Sequence, residues 1–160
     1  MTTPPVWLPQ MLNMNGNWEK NLNQLFSIFT NDFINHPPKL DSMPVWYDRT
    51  IKEGKYPEGF WHIITTKING ERFPDFRRAE RLPWCGPTIK NCYDPTIKKW
   101  DVFEEGETRT YLWLEDFDYV IILVKRLFRI GEIRFLKTAF HVEGDSTRKK
   151  LIKKYGNRLT

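Results

Sequence analysis

The strongest constraint on this chain is a succession of four β-type runs in its second half, Trp100 to Phe103, Thr108 to Leu114, Tyr119 to Phe128 and Ile133 to Val142. Only Glu104-Glu105-Gly106-Glu107, Glu115-Asp116-Phe117-Asp118 and Arg129-Ile130-Gly131-Glu132 separate them. Connections this short join antiparallel neighbours, because a parallel crossover needs about a dozen residues or more. An antiparallel meander is therefore expected. Within it, Val120-Ile121-Ile122-Leu123-Val124 is apolar at every position, the pattern of a central strand covered on both faces.

Helical patterns flank the runs. Between Asn17 and Asn35, the residues Trp18, Leu22, Leu25, Phe26, Phe29 and Phe33 form an apolar stripe at helical spacing. His36-Pro37-Pro38 ends it, since proline disfavours helical geometry in the residue before it. Pro37, Pro38, Pro44, Gly54 and Pro57 then break up the chain, leaving room for a short strand at Val45-Trp46-Tyr47. Phe60 to Thr66, rich in aromatic and β-branched residues, reads as a strand or buried extended segment. Asp75 to Trp84 reads as one short basic helix, with Pro83, Gly86 and Pro87 as its stop. A last helix is expected with Asp145 or Ser146 as its cap. Its apolar face would be Leu151, Ile152, Tyr155 and Leu159, with Lys149, Lys150, Lys153 and Lys154 around the other side.

The fold class expected is α+β: N-terminal helices packed on a four-stranded antiparallel meander, with a C-terminal helix. Helices on one face would leave the other partly open as a cleft. A chain of 160 residues suits a single domain spanning 1–160, with a helical and irregular region at 1–58 and a basic α+β core at 59–160.

Charge is unevenly divided. Residues 1–58 carry 5 Lys/Arg against 6 Asp/Glu, whereas residues 59–160 carry 20 against 14, so the net +5 comes entirely from the second part. Aromatic residues make up 15% of the chain. Cations attract phosphate and aromatic rings stack on bases, so nucleic acid is the first partner to consider. No window approaches the run of about 18 apolar residues that spans a bilayer, and no membrane partner is expected. Met1 to Gln10 lacks a basic segment followed by an apolar one, so a secretory signal is not expected. Cys85 and Cys92 are too few for a disulfide framework and lack zinc-knuckle spacing. Free thiols and a cytoplasmic location are the expectation.

The chemistry is limited by three histidines. His36, before two prolines, reads as structural or merely exposed. His62 is either a satisfied core histidine or a general base or acid, because imidazole exchanges a proton near neutrality. His141 and Lys137 would share one face of the last strand, with Arg134, Thr138 and Phe140 on the opposite one. Which of these faces lines a cleft is left open. Arg77 or Arg78 can act with Arg81 as a fork for phosphate oxygens, or the three form a solvated helical face neutralised by Asp75 and Glu80. Arg109, Tyr111 and Trp113 alternate along one strand face, suiting a single nucleic-acid strand or ordinary cross-strand packing. Trp84 is a further aromatic able to touch a base. The final helix, net +5 from Asp145 to Thr160, is a candidate backbone-binding patch.

No phosphate-binding glycine loop, HExxH motif or Cys/His quartet is present, and the acidic residues fall mostly in turns. Neither a metal nor another cofactor is expected. Cleavage of a phosphodiester without a metal points to RNA, whose 2′-hydroxyl supplies the nucleophile.

The series Phe60 to Thr66, Asp75 to Trp84, Glu107-Thr108-Arg109 leading to Trp113-Leu114-Glu115, Asp118-Tyr119-Val120 leading to Lys125-Arg126, and Thr138-Ala139-Phe140 before a basic helix resembles a phage- and plasmid-borne group of small proteins. That group is identified with the BECR superfamily, the barnase, EndoU, colicin and RelE-like nucleases. The resemblance covers residues 57–160. It implies helices against a four-stranded antiparallel sheet and a toxin-like, metal-independent endoribonuclease. It also implies His62 as the catalytic histidine, Arg78 and Arg81 as phosphate-binding groups, and Thr138 as a polar active-site residue. Lys125 would be a supporting group. Thr66, with Lys67 after it, departs from the basic residue expected behind the first strand. The partners implied are RNA, with tRNA and mRNA as candidate classes, and an antitoxin or immunity protein. The alternatives are a noncatalytic nucleic-acid-binding module and a phage or plasmid accessory protein-interaction module.

Overall fold

The computed structural model describes residues 2–160. Helix α1 (Trp18–Phe29) starts at Asn17, whose side-chain oxygen accepts from the Glu19 N–H at 2.7 Å. It runs on as a π-helical stretch, Thr30–Asn35, and ends at His36 as the following prolines require. Leu25, Phe29 and Phe33 of the expected stripe are buried. Two short strands follow, β1 (Lys39–Leu40) and β2 (Met43–Trp46). Next come α2 (Glu58–His62), the hairpin β3 (Thr65–Ile68) and β4 (Glu71–Pro74), and helices α3 (Phe76–Glu80) and α4 (Leu82–Lys90). The meander comprises β5 (Ile97–Glu104), β6 (Glu107–Leu114), β7 (Tyr119–Phe128) and β8 (Gly131–His141), and α5 (Gly144–Gly156) closes the fold.

The architecture is α+β, and β5 to β8 pair antiparallel in chain order. The sheet has six strands rather than four, in the order β1-β2-β8-β7-β6-β5. It is also mixed, because β2 pairs parallel with β8 through Val45↔Arg134 and Trp46↔Phe135. This pairing stops there. Among the described residues, no strand lies beside the outer edge of β8 from Leu136 onward.

Neither face of the sheet is left open. One carries a core of Leu112, Leu114, Tyr119, Ile121, Leu123, Leu136 and Ala139 against the N-terminal helices. On the other, Trp100, Tyr111, Trp113, Val120 and Ile122 pack with Leu151 and Tyr155 of α5. This double cover explains the wholly apolar run at Val120–Val124 and removes the expected open-face cleft.

Three local expectations are corrected. Phe60-Trp61-His62 lies in α2, and only Thr65-Thr66 of that run is extended, within a separate two-stranded sheet. Burial of Phe60 in the helical core outweighs the β propensity of the segment. Asp75 to Trp84 divides into two helices at Arg81. Pro83 falls in the first turn of α4, where its missing N–H has no intrahelical role, so it initiates that helix rather than stopping the one before. Gly86 lies inside α4 because α4 passes close to Asp32; a Cβ there would come within 2.9 Å of the Asp32 Cβ. The α5 cap position is Glu143, and Ile152 and Leu159 are exposed, leaving Leu151 and Tyr155 as the packing face. Among the described residues, no helix is long and apolar enough to cross a membrane.

Candidate functional site

The site forms where β2 ends and the edge of β8 is bare. Ile122 pairs with Thr138 but Leu123 with Leu136, so Lys137 is an extra residue in β8. Such a bulge interrupts the alternation of side chains. Lys137 and Thr138, expected on opposite faces, consequently line the same pocket.

Three elements are tied together at this edge. The Asp75 side chain caps α3 by accepting from the Arg78 N–H at 3.1 Å, and its carboxylate lies 3.2 Å from Arg78 Nε. Arg78 Nη1 donates to the His62 carbonyl at 2.8 Å and to Thr138 Oγ1 at 3.2 Å. Thr138 Oγ1 also donates to the His62 carbonyl, at 3.2 Å. The end of α2, the middle of α3 and the bulge of β8 thus share one hydrogen-bonded node. Burial lowers the Arg78 pKa while Asp75 raises it, and a guanidinium so placed remains a cation.

Below the node sits a buried ion pair. Glu58, one turn before His62, accepts a fork from Arg72 of β4, Nη2 to Oε1 at 3.0 Å and Nη1 to Oε2 at 3.3 Å. Their side chains are 4% and 7% exposed. Arg72 also lies over the Trp61 ring, 5.5 Å from its centroid. His62 remains 36% exposed, with Nε2 3.8 Å from Glu58 Oε1. Burial, and then the nearby Arg72 and Lys67 charges, hold its pKa below the usual value of 6.5 against the opposing pull of Glu58 and Asp48. The imidazole is therefore neutral at neutral pH and can accept a proton.

These groups surround a pocket of about 320 Å³ lined by His62, Thr65, Thr66, Lys67, Arg72, Arg78, Lys137 and Thr138. His62, Arg78 and Thr138, singled out in the sequence, come together here. Lys67 supplies the positive charge next to Thr66. Arg72, Lys137 and Glu58 were not identifiable as site residues from pattern alone. Asn69-Gly70 was the available signal for Arg72: both residues have positive φ, 52° and 82°, as a tight hairpin turn requires, and that turn brings β4 back beside α2.

The other candidates lie elsewhere. Arg81 is 9% exposed; its Nη1 donates to the Arg77 carbonyl at 3.0 Å and to Glu80 at 2.8 Å, so it forms no fork with Arg78 in the pocket. Arg77 is exposed and pairs with Glu80. Trp84 is buried with Nε1 donating to the Pro9 carbonyl at 2.7 Å, which withdraws it from any base. Tyr111 and Trp113 do share a strand face with Arg109, but that face is covered by α5 and both rings are buried. Arg109 is held by Glu104, Glu105 and Glu107 at the β5–β6 turn. Lys125 pairs with Asp101 at 2.9 Å on the opposite face, the one it shares with Leu123, and does not line the pocket. His141 lies outside the pocket lining, with Nδ1 buried and unpartnered, and burial lowers its pKa. Among the described residues, no three His, Cys, Asp or Glu side chains gather to share a metal ion. The chain matches no protein family, no curated protein and no solved structure.

Proposed function

We propose that the chain is a metal-independent endoribonuclease that cleaves RNA by 2′-hydroxyl transesterification, with the β8-edge pocket as its active site. The observation that carries this reading is the convergence of one neutral histidine with Lys67, Arg72, Arg78 and Lys137 in one pocket. A polyanion is drawn to the cations, and the histidine supplies the proton acceptor that mere phosphate binding would not require.

In this mechanism neutral His62 takes the proton of the 2′-hydroxyl as that oxygen attacks the adjacent phosphorus. The P–O5′ bond breaks, giving a 2′,3′-cyclic phosphate and a 5′-hydroxyl. The leaving oxygen takes up a proton from imidazolium or solvent. Arg78, fixed by Asp75 and Thr138, stabilises the crowded phosphate with the lysines. Arg72 is committed to Glu58, so it sets the field around His62. Thr138 is a positioning residue acting through Arg78.

Incubating the protein with mixed RNA in excess EDTA tests the reading. Cleavage leaving cyclic phosphate ends, lost in His62→Ala, is expected. No cleavage, or equal cleavage by His62→Ala, refutes it; RNA binding retained without cleavage would instead identify a noncatalytic binding module.

A further inference from the structure

The pocket cations are largely tied to carboxylates: Arg72 to Glu58, Arg78 to Asp75 and Lys137 to Glu107. Helix α5 differs. Its Arg148 and Lys154 are paired, but among the described residues no acidic side chain pairs with Lys149, Lys150 or Lys153. Between α5 and β5 runs a second concavity of about 420 Å³, bordered by Phe103, Glu104, Lys150, Lys153, Lys154 and Asn157. On the β5 wall it is Val102 and Glu104 that face α5. The tail beyond α5 is anchored by the Leu159 N–H, which donates to the Asp101 carbonyl at 2.8 Å, so the walls are already held together.

From these features we infer a second nucleic-acid site, separate from the reacting pocket, in which the β5–α5 groove holds a single-stranded stretch of RNA. Lys150, Lys153 and Lys154 stand at i, i+3 and i+4 on α5, which places their Cβ atoms about 5–6 Å apart along one side. That spacing suits successive phosphates of an extended strand. Cations that track a backbone in this way hold single strands without sequence reading. The groove is concave and basic, a shape that admits a strand but not a flat lipid surface. Three strand intervals separate β5 from β8, about 15 Å across the sheet, so one RNA can reach both sites. This inference rests on the proposed ribonuclease reading for the identity of the polyanion, while the unpaired lysines and the groove stand independently.

The test measures binding in the His62→Ala background, with a labelled single-stranded RNA of about 20 nucleotides, longer than the roughly 4–16 that one such groove covers, and with a tetranucleotide. The double variant Lys150→Ala/Lys153→Ala, which removes the two unpaired lysines of the groove, is expected to bind the long RNA about fivefold or more weakly. Its plot of log affinity against log salt should become shallower by about 1.4, two contacts at roughly 0.7 each. Tetranucleotide binding and urea unfolding should be unchanged by the lysine variant. Unaltered long-RNA affinity, an equal loss for the tetranucleotide, or no RNA binding by the parent protein overturns the inference, as does lysine-dependent binding to phosphatidylserine vesicles without RNA binding. RNA cleavage with no groove dependence removes this site and leaves the ribonuclease reading intact; groove-dependent RNA binding without cleavage does the reverse.

Discussion

Replacing Arg72 with methionine should strike stability and chemistry together. Arg72 and Glu58 are both almost fully buried and joined by two hydrogen bonds. Removing the cation leaves a carboxylate in a dry position with its strongest donor gone. Breaking such a pair from one side typically costs about 3–5 kcal/mol. A domain of this size has a total of about 5–15 kcal/mol, and each kcal/mol shifts Tm by about 2–4 °C. Arg72→Met should therefore lower Tm by about 6–20 °C and the urea midpoint in proportion. The double variant Glu58→Gln/Arg72→Met removes the stranded charge and should regain about 2 kcal/mol of that loss. His62 provides a second readout. Arg72 lowers its pKa and Glu58 raises it, so Arg72→Met should raise the pKa seen in an imidazole NMR titration, and the double variant should bring it back down. An Arg72→Met loss below about 1 kcal/mol, or a double variant as unstable as the sum of the singles, would refute the buried-pair account.

Three other outcomes follow from the same geometry. Because the folded pKa of His62 lies below 6.5, the unfolded chain takes up a proton first as pH falls. Stability should drop as pH goes down through 6.5 and level off below the folded value, and denaturation of His62→Gln at several pH values should show a shallower acid slope; an identical slope would count against a lowered His62 pKa. Thr138→Val removes the hydroxyl that accepts from Arg78 and donates to the His62 carbonyl. It should cost about 1–2 kcal/mol and slow single-turnover cleavage about tenfold with little change in RNA affinity, whereas an unchanged rate would deny Thr138 its positioning role. Arg109→Leu leaves Glu104, Glu105 and Glu107 crowded at one turn. It should lose about 1.5–3 kcal/mol yet cleave RNA normally while folded, and a selective loss of cleavage would return Arg109 to the substrate site.

The meander was legible because apolar runs and short turns are local signals, and β5 to β8 obey them. Helix α2 was not, because Phe60 to Thr66 combines aromatic and β-branched residues whose state is decided by the core that Phe60 enters. His62 and Arg78 could be singled out by residue type, and the shared node at the His62 carbonyl explains why they meet. Arg72 was obscure because its partner Glu58 is brought beside it by a hairpin turn. Lys137 was obscure for another reason: a bulge is a relation between two strands, and no periodicity within β8 records it. Tyr111 and Trp113 looked available because strand alternation identifies a face without saying that α5 covers it.

The bare edge of β8 carries a further consequence. An unpaired strand edge is a template for pairing with another chain, and proteins ordinarily protect it with a covering helix, a bulge or a charge. Here α2 and α3 pack beside that edge, a bulge interrupts it, and Lys137 charges it. These are the same features that create the pocket. Loosening the β3–β4 hairpin or the Arg78 node would therefore uncover an adhesive edge at the moment it dismantled the site. Resistance to aggregation and the shape of the pocket are thus maintained by one set of contacts, so variants that broaden the pocket should be the first to associate.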